Sequence, residues 1–204
     1  RGGAGPPIEL TDDRGEDIHK EGGTMLGTSR GPVDMGVAVD FLLAQGINVL
    51  FTVGGDGTQR GGHALFEQAR ARGHALAVVG IPKTIDNDVR YVSRTFGYGT
   101  AVAEAERVIQ SAHTEARSVF NGISVVKLMG RHAGFIAAAA TVASQDVNFC
   151  LVPEVPFTLA GQGGLLAALE RRLPATPAAG VVGAGGAGRP PLGRRLGGAA
   201  PAAS

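Results

Sequence analysis

The spacing of hydrophobic residues changes repeatedly along the chain and predicts alternating strands and helices. Four short apolar runs have the length of strands, at residues 47–53 ("INVLFTV"), 75–81 ("ALAVVGI"), 123–129 ("ISVVKLM") and 147–152 ("VNFCLV"). Segments with apolar residues at helical spacing lie around them, at residues 32–46, 63–72, 99–116 and 163–173, and a helix of small residues follows "GRHAG". Strands that alternate with helices are typical of an α/β fold. We therefore expect a doubly wound, mostly parallel sheet with helices on both faces.

A change of composition after residue 172 predicts where the folded core ends. Residues 173–204 consist mostly of Ala, Gly, Pro and Arg, and only "GVVGA" (residues 180–184) has the pattern of a short strand. Such a segment buries too little apolar surface to offset the entropy that it loses on ordering. We therefore expect an α/β core over residues 1–172 and a largely disordered tail over residues 173–204.

The composition argues against several classes of partner. The chain has 19 basic and 18 acidic residues and no tryptophan, so neither charge nor stacking side chains favour nucleic acid. No apolar run reaches the roughly 18 residues that a membrane-spanning helix needs. The single cysteine, Cys150, lies in an apolar run, which favours a buried strand position and allows no internal disulfide.

Unusual polar segments follow the predicted strands. "GGDGT" (residues 54–58), "PKTIDND" (82–88), "MGR" (129–131) and "PE" (153–154) each come at the end of one of the four apolar runs. In open parallel sheets, ligands bind beyond the carboxyl ends of the strands. The sequence therefore predicts an active site built from these four loops.

The first of these loops has the composition of a phosphate-binding site. Glycines let the backbone approach a phosphate closely, and the N-terminus of the following helix offers unpaired N–H groups. Asp56, among the glycines, would repel a phosphate unless a cation lay between them, which favours a role as a Mg²⁺ ligand. A tight turn with a solvated aspartate is the alternative.

The second loop carries two acids close together. If it is extended, Thr84, Asp86 and Asp88 share a face at intervals of about 7 Å. One carboxylate could then accept a hydroxyl proton while the attacking oxygen bonds to phosphorus, and the other could tie to the cation. Lys83 could reach a transferring phosphate as a point charge. A helix cap or a calcium loop is the alternative, although the glutamate that a calcium loop needs is absent.

Two further side chains at strand ends, Arg131 and Glu154, could bind a phosphoryl group or a sugar. Arg131 follows a strand and a glycine, where a guanidinium can stabilise charge that develops on a transferring phosphoryl group. A surface arginine is the alternative. Glu154 can accept hydrogen bonds from sugar hydroxyls. His132 is interpreted as structural, because no second histidine lies at metal-ligand spacing.

Together these segments resemble the phosphofructokinase family. "GGDGTQRGG", "GIPKTIDNDV", "VVKLMGRHAGFIA" and "LVPEVPF" follow one another in that family's order and spacing, within residues 7–173. The sequences "GTSRG", "PKTIDND" and "KLMGR" are most similar to those of the ATP-dependent branch of plants and kinetoplastids. The resemblance implies a partial core, incomplete at both ends, because the family's opening strand and its later sugar-phosphate segment have no counterpart here.

The resemblance also implies an activity. It is the Mg²⁺-dependent transfer of a phosphoryl group from ATP to the 1-hydroxyl of fructose 6-phosphate in glycolysis, giving fructose 1,6-bisphosphate and ADP. Asp86 would be the general base, with Thr84 and Asp88 beside it, and Arg131 would stabilise the transition state. The implied nucleotide-binding residues are Arg30, Gly55, Asp56, Gly57, Thr58 and Lys83, with Asp56 holding Mg²⁺. The implied substrate-binding residues are Thr84, Asp86, Met129, Gly130, Arg131 and Glu154.

Two positions bear on the phosphoryl donor and point in opposite directions. Glycine at Gly57 resembles ATP-using members, whereas lysine at Lys83 resembles pyrophosphate-using members. The mixed pair is similar to plant and kinetoplastid members, which implies ATP. Pyrophosphate as donor is the alternative, as is a truncated chain without turnover. The family further implies a homo-oligomer at full length and a cytoplasmic location, with a plastid as the alternative.

Overall fold

The computed structural model describes residues 7–28, 31–176 and 178–188. The chain divides into two compact units, Arg1–Ile47 and Asn48–Ser204. In the first unit, helix α1 (Asp12–Gly15) and a single 3-10 turn (Ile18–Lys20) precede helix α2 (Met35–Ala44). The Asp34 carboxylate begins α2 by accepting the N–H groups of Gly36 and Val37 at 2.8 and 3.1 Å. This helix matches the prediction for residues 32–46.

The second unit contains parallel strands alternating with helices. Its elements are β1 (Val49–Gly54), α3 (Asp56–Ala71), β2 (Ala77–Thr84), β3 (Phe96–Gly97), α4 (Tyr98–Ser118), β4 (Gly122–Leu128), α5 (Phe135–Ser144), β5 (Phe149–Leu151), α6 (Leu165–Arg172) and β6 (Ala178–Ala184). The described strands form two three-stranded sheets, in the orders β1–β2–β3 and β4–β6–β5, and all their pairings are parallel. The α/β class with parallel strands is therefore confirmed.

Helices cover both faces of the second sheet, as β6 shows. Successive side chains of a strand point to opposite faces. Val182 and Ala184 belong to a buried cluster with residues of α4 and α5. Their neighbours Ala179 and Val181 pack instead with Leu169 of α6. The core of the second unit thus lies on the two sides of this strand.

Strand β6 lies beyond the predicted end of the core. It pairs with β4 along Gly122–Leu128 and with β5 along Phe149–Leu151, so it occupies the centre of its sheet. The boundary expected at residue 172 is therefore too early. Small residues suffice here because two neighbouring strands and the helices on both faces supply the packing. Residues 189–204, most of the expected tail, lie outside the described residues.

Helix α3 begins at Asp56, earlier than the predicted start at residue 63. Its first two turns contain the glycines that suggested a loop. Gly62 fits only without a side chain, because an added Cβ would lie 2.9 Å from Thr52 Oγ1 and 3.4 Å from Val78 Cγ1. The glycine therefore lets the helix pack closely on β1 and β2. Because glycine disfavours helix, the glycines of these first turns led to the incorrect prediction of a loop.

Candidate active site

The loops after β1 and β2 begin side by side. Gly54 at the end of β1 is in register with Pro82 of β2. The Gln59 side-chain amide, in the first turns of α3, donates to Gly54 O at 2.9 Å and to Ile81 O at 3.0 Å. A Cβ added at Gly55 would lie 3.5 Å from Thr84 Cβ. The glycine loop and the acidic loop therefore meet at one edge of the first sheet.

The glycine loop has an open N-terminal helix end. Gly55 is the N-cap of α3, and no side chain caps it. A Cβ added at Gly57 would meet nothing within 4 Å among the described residues. Thr58 lies over Gly54, where an added Cβ would contact Thr58 Oγ1. An uncapped helix start with open space around it suits a phosphate group.

Asp56 is the first residue of α3, and its carboxylate forms an exposed ion pair with Arg60 one turn later. Among the described residues, no three His, Cys, Asp or Glu side chains cluster as a metal site. Mg²⁺ is commonly held by one or two carboxylates together with substrate phosphates. Asp56 fits that pattern, because a single carboxylate at an uncapped helix start suits an ion that arrives with a nucleotide.

The acidic loop is not extended, which corrects the geometry expected for it. Strand β2 ends at Thr84, and Asn87 takes a left-handed conformation with φ of 54°. The Asp86 N–H donates to Thr84 Oγ1 at 3.1 Å, closing a short turn. Ile85 packs against the buried cluster between α4, α5 and β6. The prediction missed the turn because it depends on Asn87, whose side chain is held by a distant residue.

Asp86 and Asp88 nevertheless lie close together, as expected. Partial burial raises the pKa of the Asp86 carboxyl above its ordinary value of 3.8, and the negative charge of Asp88 raises this pKa further. The side chain of His132 acts in the opposite direction and lowers the pKa of Asp86. A carboxyl group perturbed by burial and by a neighbouring acid is a functional-site candidate.

His132 is the residue that the sequence reasoning missed. The absence of a second histidine at metal-ligand spacing favours a structural role, yet His132 lies within electrostatic reach of Asp86, so the loop after β4 approaches the loop after β2 here. The available signal was its position directly after Arg131 in a strand-end loop. A search for metal-ligand spacing alone overlooks a histidine that lies near a carboxylate.

The loop after β4 is braced by the loop after β6. Gly130 has φ of 122°, and a Cβ there would lie 2.5 Å from Ala133 O, so only glycine fits. The Gly186 N–H donates to Gly130 O at 2.9 Å, and a Cβ added at Gly186 would contact Arg131 O. Met129 is 67% exposed. The side chains of this loop are thus presented outward on a fixed backbone.

Glu154 connects the loops after β4 and β5. Its Oε1 accepts the Gly134 N–H at 2.8 Å, directly before the first residue of α5. A Cβ added at Gly134 would lie 2.9 Å from Glu154 Oε2 and would contact Val152. Glu154 therefore fixes the start of α5, which the sequence did not indicate, and its exposed position leaves it accessible to a ligand.

These contacts link five strand-end loops in one unit. They bring together the segments that carry Gly55, Asp56, Thr84, Asp86, Asp88, Met129, Gly130, Arg131 and Glu154. Lys83 is exposed near the end of β2, in register with Phe96. Arg30 lies outside the described residues.

This set of loops is matched over most of the chain by one family. The phosphofructokinase family model matches residues 4–183. The chain belongs to the phosphofructokinase family. The match extends into β6 as far as Gly183, which agrees with a core that continues beyond residue 172.

Relatives within the family include proteins of plants and trypanosomes, as the resemblance implied, and also bacterial proteins. ATP-dependent 6-phosphofructokinase 7 of Arabidopsis thaliana is 57% identical, over 77% of this chain and 32% of that protein. ATP-dependent 6-phosphofructokinase of Trypanosoma cruzi is 54% identical, over 76% of this chain and 31% of that protein. The chain thus spans about a third of the length of these relatives.

A solved structure shares the fold. The pyrophosphate-dependent phosphofructokinase from Marinobacter aquaeolei superimposes with a TM-score of 0.77 at 25% identity, covering 87% of this chain and 46% of that one. At this level of identity, the similarity concerns the arrangement of strands and helices. The choice of phosphoryl donor has to be argued from individual residues.

Proposed function

We propose that the chain carries the phosphoryl-transfer site of an ATP-dependent 6-phosphofructokinase, which phosphorylates fructose 6-phosphate at its 1-hydroxyl in glycolysis. One observation carries the proposal. Asp86, beside Asp88 and within reach of His132, lies in a loop that touches an uncapped, glycine-lined helix start. A carboxylate base next to an uncapped helix start, where backbone N–H groups are free to bind a phosphate, suits phosphoryl transfer to a hydroxyl.

In this mechanism Asp86 is the general base. Its ionised carboxylate accepts the proton of the 1-hydroxyl as the hydroxyl oxygen bonds to the γ-phosphorus of ATP. The bond from that phosphorus to the β,γ-bridging oxygen breaks, and ADP leaves with the electron pair. The raised pKa makes Asp86 a stronger base than an ordinary aspartate, while Asp88 and Thr84 hold the hydroxyl and the turn in place.

The remaining residues bind and orient the substrates. The N–H groups at the start of α3, at Asp56 and Gly57, face the phosphates of the nucleotide, with Thr58 and Lys83 beside them. Met129, Gly130 and Arg131 contact the sugar phosphate, and the Arg131 guanidinium stabilises charge on the transferring group. Glu154 accepts hydrogen bonds from the sugar hydroxyls. Asp56 would hold Mg²⁺, which supplies positive charge to the phosphate oxygens.

ATP is favoured as donor by the space around Gly57. A Cβ at this position would meet nothing within 4 Å among the described residues, which leaves room for the additional phosphate and nucleoside of ATP. The named ATP-dependent relatives are also about half identical to this chain, in contrast to 25% for the pyrophosphate-dependent structure. Lys83 is the feature that favours pyrophosphate, so the experiment below includes both donors.

For location and assembly, the proposal follows the family. No helix among the described residues is long and apolar enough to cross a bilayer. We propose a cytoplasmic location, with a plastid as the alternative because two Arabidopsis relatives are named chloroplastic forms. We also propose that the full-length protein forms a homo-oligomer.

The proposal is tested by assaying the purified 204-residue chain. The chain is incubated with Mg²⁺ and fructose 6-phosphate, in parallel with ATP and with pyrophosphate, and fructose 1,6-bisphosphate is measured. We expect turnover with ATP, and a loss of about 10²–10⁴-fold in Asp86→Asn because the general base is removed. The matched control is Asp13→Asn, which makes the same change at an exposed position in α1.

The outcomes separate the alternatives. Turnover with pyrophosphate alone would replace ATP as the donor. Thermal stabilisation by fructose 6-phosphate and ATP without turnover would indicate a truncated chain that only binds. If a chain that melts cooperatively shows no turnover and is not stabilised by the ligands, that result would contradict the proposed function for this chain.

A further inference from the structure

One buried polar side chain takes no part in the mechanism above. Thr95 is 2% exposed and directly precedes β3. Among the described residues it is the one polar residue that is buried as a whole. Burying a hydroxyl is costly unless it is hydrogen-bonded, so its partners indicate what it holds in place.

The hydroxyl and the N–H of Thr95 both form hydrogen bonds with the acidic loop or the strand before it, while the Thr95 carbonyl accepts the Tyr98 N–H at the start of α4. The Thr95 hydroxyl donates to Thr84 O at 2.7 Å, at the end of β2. The same hydroxyl lies 3.2 Å from Asn87 Oδ1, and the Thr95 N–H donates to that oxygen at 2.8 Å. Asn87 Nδ2 completes the link by donating to Ser93 O at 3.3 Å. The two ends of the turn are therefore fastened to one buried residue.

Asn87 is the residue that gives the turn its shape. It has φ of 54°, a left-handed conformation that asparagine adopts more readily than most residues. Its side chain turns toward Thr95, and Ile85 two positions earlier packs into the core. With Ile85 packed inward and Asn87 bonded to Thr95, the turn carries Asp86 and Asp88 close enough for their charges to interact.

We propose that Thr95 is a positioning residue for phosphoryl transfer, which holds Asp86 and Asp88 in their working geometry through Asn87 and the Thr84 carbonyl. This inference rests on the proposed function. Thr95 lies in the core behind the turn and touches no reacting atom. Its effect on the reaction is therefore confined to the placement of the general base, and displacement of a catalytic group by about 1 Å can cost about 100-fold in rate.

A purely structural hydroxyl would behave differently. Its loss would lower the melting temperature and leave the rate per folded molecule unchanged. Loss of a positioning residue instead lowers kcat while the Michaelis constant for fructose 6-phosphate stays nearly constant. The turn still forms, but its carboxylates are no longer held in place. This loss also changes the titration of Asp86, since the distance between Asp86 and Asp88 sets part of that pKa.

The experiment compares four variants of the full chain. Thr95→Val removes the hydroxyl at constant volume, Thr95→Ser keeps it, and Asn87→Gly keeps the left-handed turn but deletes the amide. The matched control is Thr141→Val in α5, because Thr141 Oγ1 is buried without a hydrogen-bond partner among the described residues. For each variant we would measure kcat, the Michaelis constant, the melting temperature and the carboxyl ¹³C titration of Asp86.

We expect Thr95→Val and Asn87→Gly to lower kcat about 30- to 100-fold, with the Michaelis constant within about threefold. Thr95→Ser and Thr141→Val should stay within about threefold of the original kcat. A kcat within threefold in both Thr95→Val and Asn87→Gly would overturn the inference. If the original chain shows no turnover with either donor, kcat no longer tests the inference, and the Asp86 titration decides it. An unchanged titration in Thr95→Val and Asn87→Gly would then overturn the inference.

Discussion

Asp86 combines partial burial with the negative charge of Asp88, and both make ionisation of its carboxyl unfavourable in the folded chain. Because the folded pKa lies above the ordinary value of 3.8, Asp86 contributes most to stability below that pH. The contribution is lost as the pH rises through the raised pKa. At neutral pH the folded chain therefore carries a destabilising charge, which is a common cost of a catalytic group.

Asp86→Asn should consequently stabilise the chain, although on the proposed function it also removes the general base. We expect a melting temperature higher by roughly 1–2 °C at pH 7, because solvent screens much of the penalty at a partly buried group. The gain should shrink as the pH falls through the raised pKa and should disappear below 3.8, where the carboxyl becomes protonated in both states. Melting curves from pH 4 to 8, with Asp13→Asn as control, measure the difference. A gain independent of pH would argue against this account of Asp86.

At the scale of the elements, Gln59 connects two strands through one side chain. Its amide donates to carbonyls at the ends of β1 and β2, and Gly80 leaves the space that the side chain occupies. Gln59→Met keeps the length of the side chain but leaves both carbonyls without this donor. Because unsatisfied partly buried carbonyls cost about 1–3 kcal/mol, we expect a lower free energy of unfolding by that amount.

Urea unfolding followed by circular dichroism measures this change. The matched control is Gln110→Met, at an exposed glutamine of α4. The two variants make the same chemical change on two helices, so their difference isolates the strand link. Equal unfolding free energies in the two variants would show that the Gln59 hydrogen bonds contribute nothing measurable.

The elements also show what a sequence pattern can and cannot predict. Helix α4 was predicted within two residues at each end, because its apolar stripe is a local signal. Strand β3 was missed, since its two residues are held only by pairing with Lys83 and Thr84 of β2. The start of α3 was placed too late, because the close packing of Gly62 on Thr52 and Val78 is a contact between distant positions.

At the scale of the whole molecule, the grouping of the site was predictable and its internal geometry was not. Parallel strands place their carboxyl ends at one edge, so the loops with Asp56, Asp86 and Glu154 could be assigned to one site from the sequence. The left-handed Asn87, the link from Thr95 and the proximity of His132 to Asp86 depend on contacts across the fold. No local pattern carries that information.

The choice of phosphoryl donor is a property of the assembled site, and Gly57 offers the sharpest test of it. An aspartate here would add a negative charge at the uncapped start of α3 and would fill space that is now open. Since a like charge a few ångströms from a phosphate costs about 1–4 kcal/mol in partly screened surroundings, we expect Gly57→Asp to lower kcat/KM for ATP at least about tenfold. Gly61→Asp is the matched control, because it adds the same charge in the next turn of α3, where a Cβ also meets nothing within 4 Å. Pyrophosphate turnover is measured beside ATP turnover in all three chains. If kcat/KM for ATP were the same in Gly57→Asp and Gly61→Asp, the nucleotide would not approach this helix start.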